Sequence, residues 1–247
     1  MQHSNSYIFR YSAIMVIIVA AMLAATAELL KPKQLDNIRI EKMQFILSSA
    51  GIRVEKKDVI PTYNKFITKE LGVDLSGNIV SIFQNGKQEQ GTIRPFEISL
   101  KEELDKISKG AGDVVLPLYI CNNDGKTIFI VPVYGKGLWG PLWGNMAFAD
   151  DMNTVVGATF DHKAETPGLG SEIATTVFQA QFANKQIFDP SGEFVSVSVV
   201  KGGVKNSSTP EAHGVDAISG GTITSNAVSK MLHDCLINYV PYFKKDQ

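Results

Sequence analysis

Ser219, Thr222 and Thr224 lie among glycines in the run Asp216-Ala-Ile-Ser219-Gly220-Gly221-Thr222-Ile223-Thr224. Two adjacent glycines let a backbone come close to a ligand. The run leads straight into a segment of helical periodicity. Free N–H groups and the dipole at a helix start suit a phosphate, and three hydroxyls stand ready to bond one. A Ser/Gly turn with Thr224 or Ser225 as helix cap accounts for the same residues without a ligand, and such caps are common.

Two further segments have the composition of a ligand wall. His162-Lys163-Ala-Glu165-Thr166-Pro167-Gly168-Leu169-Gly170 falls between a predicted strand and a predicted helix. Its Pro-Gly step makes a rigid turn, and Glu165 and Thr166 offer polar contacts beside a ring. A plain loop capped at Ser171 is the simpler account. Tyr134-Gly-Lys-Gly-Leu138-Trp139-Gly-Pro-Leu142-Trp143-Gly144 carries the spacing Gly135-x-Gly137-x-x-Gly140 after a strand, formally a dinucleotide fingerprint. Pro141 and Gly144 follow, so no helix begins there to receive a pyrophosphate. Both tryptophans of the chain fall in this Gly-rich loop. Core packing explains them; so does an apolar wall for a flat aromatic ligand or for a neighbouring protein.

Other chemistries find little support. No Ser/His/Asp or Cys/His constellation, P-loop or pair of catalytic carboxylates is evident, which favours a carrier over a hydrolase. The four histidines (His3, His162, His213, His233) lack ligand spacing, so no metal is expected. Cys121 and Cys235 are too few for a disulfide framework and read as small buried hydrophobes; in an exported domain a single bridge stays open. A net charge of −1 gives no basic footprint for nucleic acid.

The elements that must position these residues read as α+β. The chain of 247 residues, 44% apolar and 20% charged, suffices for one large domain or two small ones. Helices are predicted over 35–47, with Leu35, Ile38, Phe45 and Ile46 as apolar positions and Gly51 as terminator, and over 63–71. Strands are predicted over 79–83, 114–121, 127–133, 154–160 and 194–200, the last alternating Val195, Val197 and Val199 against serines. Asn122-Asn-Asp-Gly125 is a hairpin turn signal. A helix is expected over 171–182, with Ile173, Val177, Phe178 and Ala180 inward. The last helix is the clearest, with Val228, Met231, Leu232, Cys235, Leu236 and Tyr239 at helical spacing.

Residues 11–27 carry no charge, and Leu29 and Leu30 prolong the apolar stretch. Its length suits a short membrane-spanning helix. A signal peptide cleaved after Ala25-Thr-Ala27 is the rival reading. Either way the remainder is exported, although Lys31, Lys33, Arg39 and Lys42 against Arg10 alone would, by charge, place it in the cytoplasm.

Taken together, Asp216-x-x-Ser219-Gly220-x-Thr222 resembles the flavinylation motif of the FMN-binding domain family, and residues 162–170 and 134–144 resemble its Glu-Thr-Pro-Gly-Leu-Gly and Gly-Leu-Trp segments. The resemblance covers nearly the whole chain. Its long region between anchor and flavin domain is similar to the branch that forms the C subunit of Na⁺-translocating NADH:quinone oxidoreductases; the G subunit of Rnf-type electron-transport complexes is the neighbouring branch. Gly221 stands where the family usually has alanine.

The resemblance implies a membrane helix over 11–30 behind a short tail (1–10). A membrane-proximal region (31–107) and one exported FMN-binding domain (108–247) follow, the latter with a mainly antiparallel sheet and flanking helices. It implies one FMN per chain, bonded through its phosphate to Thr222 by a flavin transferase. Ser219, Gly220, Gly221, Ile223, Thr224 and Asp216 would lie at the phosphate end or serve transferase recognition. Leu138, Trp139, Glu165, Thr166, Leu169 and Gly170 would surround the ring. The implied role is electron transfer within a six-subunit Na⁺-pumping oxidoreductase of the bacterial inner membrane, with the domain in the periplasm and no NADH site on this chain. A non-catalytic exported interaction domain is the alternative of a different class.

Overall fold

The computed structural model describes residues 4–245; His3 and part of the tail expected over 1–10 lie outside them. The chain divides into two compact units, one up to Lys42 and one from Met43 onward. Helix α1 (Asn5–Ser49) is continuous, with Pro32 inside it. The expected helix over 35–47 is therefore the end of the anchor helix. No glycine interrupts residues 5–49, and one proline removes a single backbone bond, which flanking turns carry. In the first unit the helix is long and apolar enough to cross a membrane. Its Leu35 and Ile38, expected at apolar contacts, are exposed.

The second unit begins with the end of α1, where Met43, Ile46 and Leu47 are buried. Gly51, at φ +77, closes the helix: its N–H donates to Ser48 O and that of Ile52 to Leu47 O, both at 3.0 Å.

Helix α2 (Val59–Phe66) runs into β1 (Ile67–Val73). Residues 67–71, expected as helix, are strand instead. Glu70 and Leu71 pair on one side with Tyr119 and Leu118 and on the other with Phe83 and Ile82, so tertiary pairing overrides local propensity. Next come β2 (Ile79–Gln84), β3 (Lys87–Gln90), α3 (Leu100–Ser108), β4 (Leu116–Asn123), β5 (Lys126–Lys136), β6 (Pro141–Phe148) and β7 (Val155–His162). They form one sheet in the order β3-β2-β1-β4-β5-β6-β7, every neighbouring pair antiparallel. The β4–β5 turn has Asp124 and Gly125 both at positive φ, the hairpin turn predicted from Asn-Asn-Asp-Gly.

Two segments depart from expectation. The helix expected over 171–182 is a 3₁₀ turn (Gly170–Ala174) and a short α4 (Thr176–Ala180). Between them Thr175 is extended at ψ 148° and its side chain caps α4. The break turns Val177 and Ala180 outward and leaves Ile173, Phe178 and Phe182 buried. Only Ser198–Val200 forms β8, because Ser196 at φ +62 breaks the alternation and exposes Val195 while Val197 and Val199 stay inside. Strand β8 pairs in parallel with β9 (Gly214–Asp216).

Helix α5 (Thr222–Leu236) and the short α6 (Val240–Phe243) close the chain. Val228, Met231, Leu232, Cys235 and Leu236 are all buried, as is Tyr239 beyond the helix; the valine, leucine and methionine side chains contribute about 1.5–3 kcal/mol each. Polar contacts fix the helix's position on the sheet. Tyr239 Oη donates to Pro117 O at 2.9 Å, Ser229 Oγ accepts the Val199 N–H at 2.8 Å, and the Cys235 thiol meets the Tyr134 backbone.

Candidate functional site

The start of α5 is built by its glycines. Gly220 has φ +75, and the Gly221 N–H closes a turn onto Ile218 O at 3.0 Å. Gly221 is the residue before the helix, so neither Thr224 nor Ser225 caps it, contrary to expectation. Ser225 Oγ instead accepts the Ile218 N–H at 3.2 Å and pulls the turn beneath the first helical turn. Thr222 is thereby the first helical residue and half-buried, with Ile223 exposed beside it. The first-turn N–H groups have no intrahelical partner, and no acidic residue of α5 lies in that turn. The positive end of the helix dipole lies there, beside the half-buried Thr222.

The second segment follows β7. The Glu165 N–H donates to His162 Nδ1 at 3.1 Å, and Thr166 O accepts from Leu169 N (3.1 Å) and Ser171 N (3.2 Å), with Gly168 at φ +73 completing the turn. Leu169 is left 40% exposed against the glycine pair: a Cβ on Gly220 would lie 2.6 Å from Leu169 Cδ2. The third segment is the β5–β6 hairpin. Its tip closes by Gly137 N–H to Gly140 O at 2.7 Å and presents Leu138 and Trp139, 46% and 66% exposed. Trp143 is not in the loop. It lies on β6 opposite Tyr134, half-buried.

Glu165 joins all three. It is 4% exposed. Its Oε1 accepts the Trp139 N–H at 2.9 Å and its Oε2 accepts the Thr224 hydroxyl at 2.5 Å. Thr224, itself 2% exposed, is thus committed inward, whereas Thr222 is only half-buried. Nothing in the sequence signals that pairing, 59 residues apart. The Gly-x-Gly spacing does carry a signal, for a reason other than dinucleotide binding. A Cβ on Gly135 would strike Met231, one on Gly137 would strike Glu165 Oε1 and Leu142, and a strand follows rather than a helix. Gly170 likewise clears Thr224 and Glu165.

Thus Leu138, Trp139, Glu165, Leu169, Gly170, Gly220, Gly221 and Thr224 come into one neighbourhood with Thr222 and Ile223. Thr166 and Ser219 are exposed at its margin. Asp216 stands apart at the end of β9. Its Oδ1 accepts the Val204 N–H at 2.8 Å, and it lines a separate cavity of about 330 Å³ with Lys185 and Lys205.

Comparison with known proteins bears on this surface. The model of the FMN-binding domain matches residues 137–237, which hold residues 162–170 and 216–224 and the tip of the β5–β6 hairpin. The chain is 35% identical over 216 residues to the C subunit of the Na(+)-translocating NADH-quinone reductase of Haemophilus ducreyi, covering 86% of this chain and 82% of that one. It is 30% identical over 244 residues to the protein of the same name from Pseudomonas aeruginosa, covering 94% and 91%. The crystal structure of the corresponding protein from Parabacteroides distasonis superposes with a TM-score of 0.73 at 36% identity, over 88% of this chain and 98% of that one. That of Shewanella oneidensis NqrC gives 0.65 at 26%, over 83% and 97%.

Proposed function

The chain belongs to the NqrC family, the C subunits of Na⁺-translocating NADH-quinone reductases, and from that premise we propose that it carries electrons through one FMN bonded by its phosphate to Thr222. The observation that carries the attachment is the contrast between two threonines on one helical turn. Thr224 is buried with its hydroxyl donating to Glu165, and Thr222 is half-buried at the start of α5, its hydroxyl without a protein partner among the described residues.

The surroundings fit the group. A phosphoester on Thr222 would meet the unpaired N–H groups and dipole of the first turn. Leu138, Trp139, Leu169 and Ile223 are exposed apolar side chains of the three segments, suited to cover a flat ring. FMN, when bound, supplies the electron chemistry, and protein contacts to its ring set its potential. The chain's own residues hold, orient and shield it.

Attachment would be a phosphoryl transfer from FAD, catalysed by a flavin transferase. The Thr222 Oγ–P bond forms, the pyrophosphate P–O bond of FAD breaks, AMP leaves, and the hydroxyl proton passes to solvent. Asp216 and Ser219 would serve recognition by that enzyme. Helix α1 fits a membrane anchor; in our reading its residues 11–30 cross the membrane and hold the domain in the periplasm, beside the other five subunits of a sodium-pumping oxidoreductase.

In-gel flavin fluorescence after denaturation tests the attachment. Protein made with its transferase should give a fluorescent band, which Thr222→Ala abolishes and Thr224→Ser retains. A dark band from the parent chain, or a bright one from Thr222→Ala, would sink the assignment.

A further inference from the structure

We infer that Glu165 is a positioning residue for the flavin, which braces the three segments into one face and supplies a fixed buried negative charge beside it. This rests on the FMN reading above. Glu165 cannot act as a direct ring contact: at 4% exposure, both its oxygens are taken by protein donors. Two glycines, Gly137 and Gly170, are the only residue type that leaves room for it, since a Cβ on either would lie 2.5–2.6 Å from a carboxylate oxygen.

No cation pairs with this carboxylate among the described residues; the ion pairs lie elsewhere. Burying a carboxylate without one is costly. Charge-assisted bonds from Trp139 N–H and Thr224 O–H, and the positive end of α5, offset part of that cost. A leucine or methionine would fill the space without it. What the carboxylate adds is geometry, with one oxygen on the hairpin tip and the other on the helix. It also adds a charge with no ion-pair partner among the described residues. Such a charge, buried at the base of the face that would carry the ring, acts on a bound ring more strongly than a solvated one would. It disfavours addition of an electron there, and so lowers the flavin's potential.

The test uses the full-length chain with Glu165→Gln, Glu165→Ala, Thr224→Val and Thr224→Ser. In protein made without the transferase, backbone amide exchange at Trp139 reads the brace directly. Glu165→Ala should speed it roughly tenfold, the loss of one charge-assisted bond. Glu165→Gln, which keeps an acceptor for Trp139 and a donor for Thr224, should stay within roughly twofold. In flavinylated protein, Glu165→Gln should keep the covalent flavin and raise its midpoint potential. Thr224→Val should alter the visible circular dichroism of the flavin, and Thr224→Ser should restore it.

A merely structural role would leave the midpoint potential of Glu165→Gln at the parent value. A parent-like potential in Glu165→Gln, or parent-like Trp139 exchange in Glu165→Ala, overturns the proposal. Should Glu165→Ala fail to fold, Glu165→Gln and the Thr224 pair decide it. A parent chain without covalent flavin defeats the attachment reading instead, and Trp139 exchange then judges the brace alone.

Discussion

Glu70 and Glu165 are both almost fully buried, 2% and 4% exposed, in different parts of the second unit. Glu70, on β1, is closed on every side. Arg94 pairs with both its oxygens, Tyr63 Oη donates at 3.1 Å and the Phe96 N–H at 3.3 Å. The Arg94 guanidinium lies over the rings of Phe83 and Phe96, 4.1 and 5.2 Å from their centroids. Burial works against the Arg94 charge, but the bond to Glu70 outweighs it and holds the pKa above the ordinary value. Glu165 has only an N–H and an O–H. The first carboxylate is neutralised and serves to pin residues 94–96 onto the sheet. The second has no ion-pair partner among the described residues and lies beside a surface where exposed apolar side chains gather around Thr222.

The largest effect is expected where that neutralisation is removed. Arg94→Leu leaves Glu70 buried and unpaired and should cost about 3–5 kcal/mol in denaturant unfolding, with covalent flavin and its potential unchanged. If Arg94→Leu shifts the potential as far as Glu165→Gln does, the two carboxylates are not separate in function and the comparison fails.

The same contrast shows what could be read from the sequence. The grouping of the three glycine-rich segments comes from the family resemblance and not from local pattern; the periodicity of α5, the Asn-Asn-Asp-Gly hairpin and the central strands do follow from local pattern. Strand β1 does not, because Ile67–Val73 becomes strand only through its two neighbours. Thr224 reads as a cap because it has the right chemistry for one. Its hydroxyl is spent on a carboxylate 59 residues away, and a one-dimensional reading cannot weigh that competitor. Ser196 at φ +62 is likewise a tertiary demand with no glycine to announce it. The Glu70–Arg94 pair, 24 residues apart, carries no sequence signal at all.

The cysteines extend the comparison to reactivity. Cys121 faces Ile67 in the β1–β4 ladder and Cys235 meets the Tyr134 backbone under the hairpin, and both are free and buried. Burial raises the Cys121 thiol to about 11 and that of Cys235 to about 12. At a pH of about 8 both stay protonated, so neither is nucleophilic. Iodoacetamide should modify neither in the folded protein and both after denaturation without reductant, counted by intact mass. A bridged pair would resist alkylation in both conditions.

The smallest effect is expected at Gly221, the residue before α5. Its φ of −99° asks nothing of glycine, unlike Gly220 at +75°. An added Cβ would sit 3.0 Å from Ile218 Cγ2 and 3.4 Å from the Leu169 carbonyl carbon. Ile218 is only partly buried and can give by the few tenths of an ångström required. Losing glycine before the helix costs roughly 1 kcal/mol, and the smaller conformational freedom of the unfolded alanine chain returns about 0.4–1 kcal/mol. Gly221→Ala should therefore unfold within about 1 kcal/mol of the parent and keep its fluorescent band. Gly220→Ala should fare worse on both counts, because it adds left-handed strain of about 1–2 kcal/mol and drives Leu169 off the helix start. Equal behaviour of the two variants would mean that the turn before Thr222 is not held in this conformation, and that the openness of its hydroxyl is not set by the glycine pair.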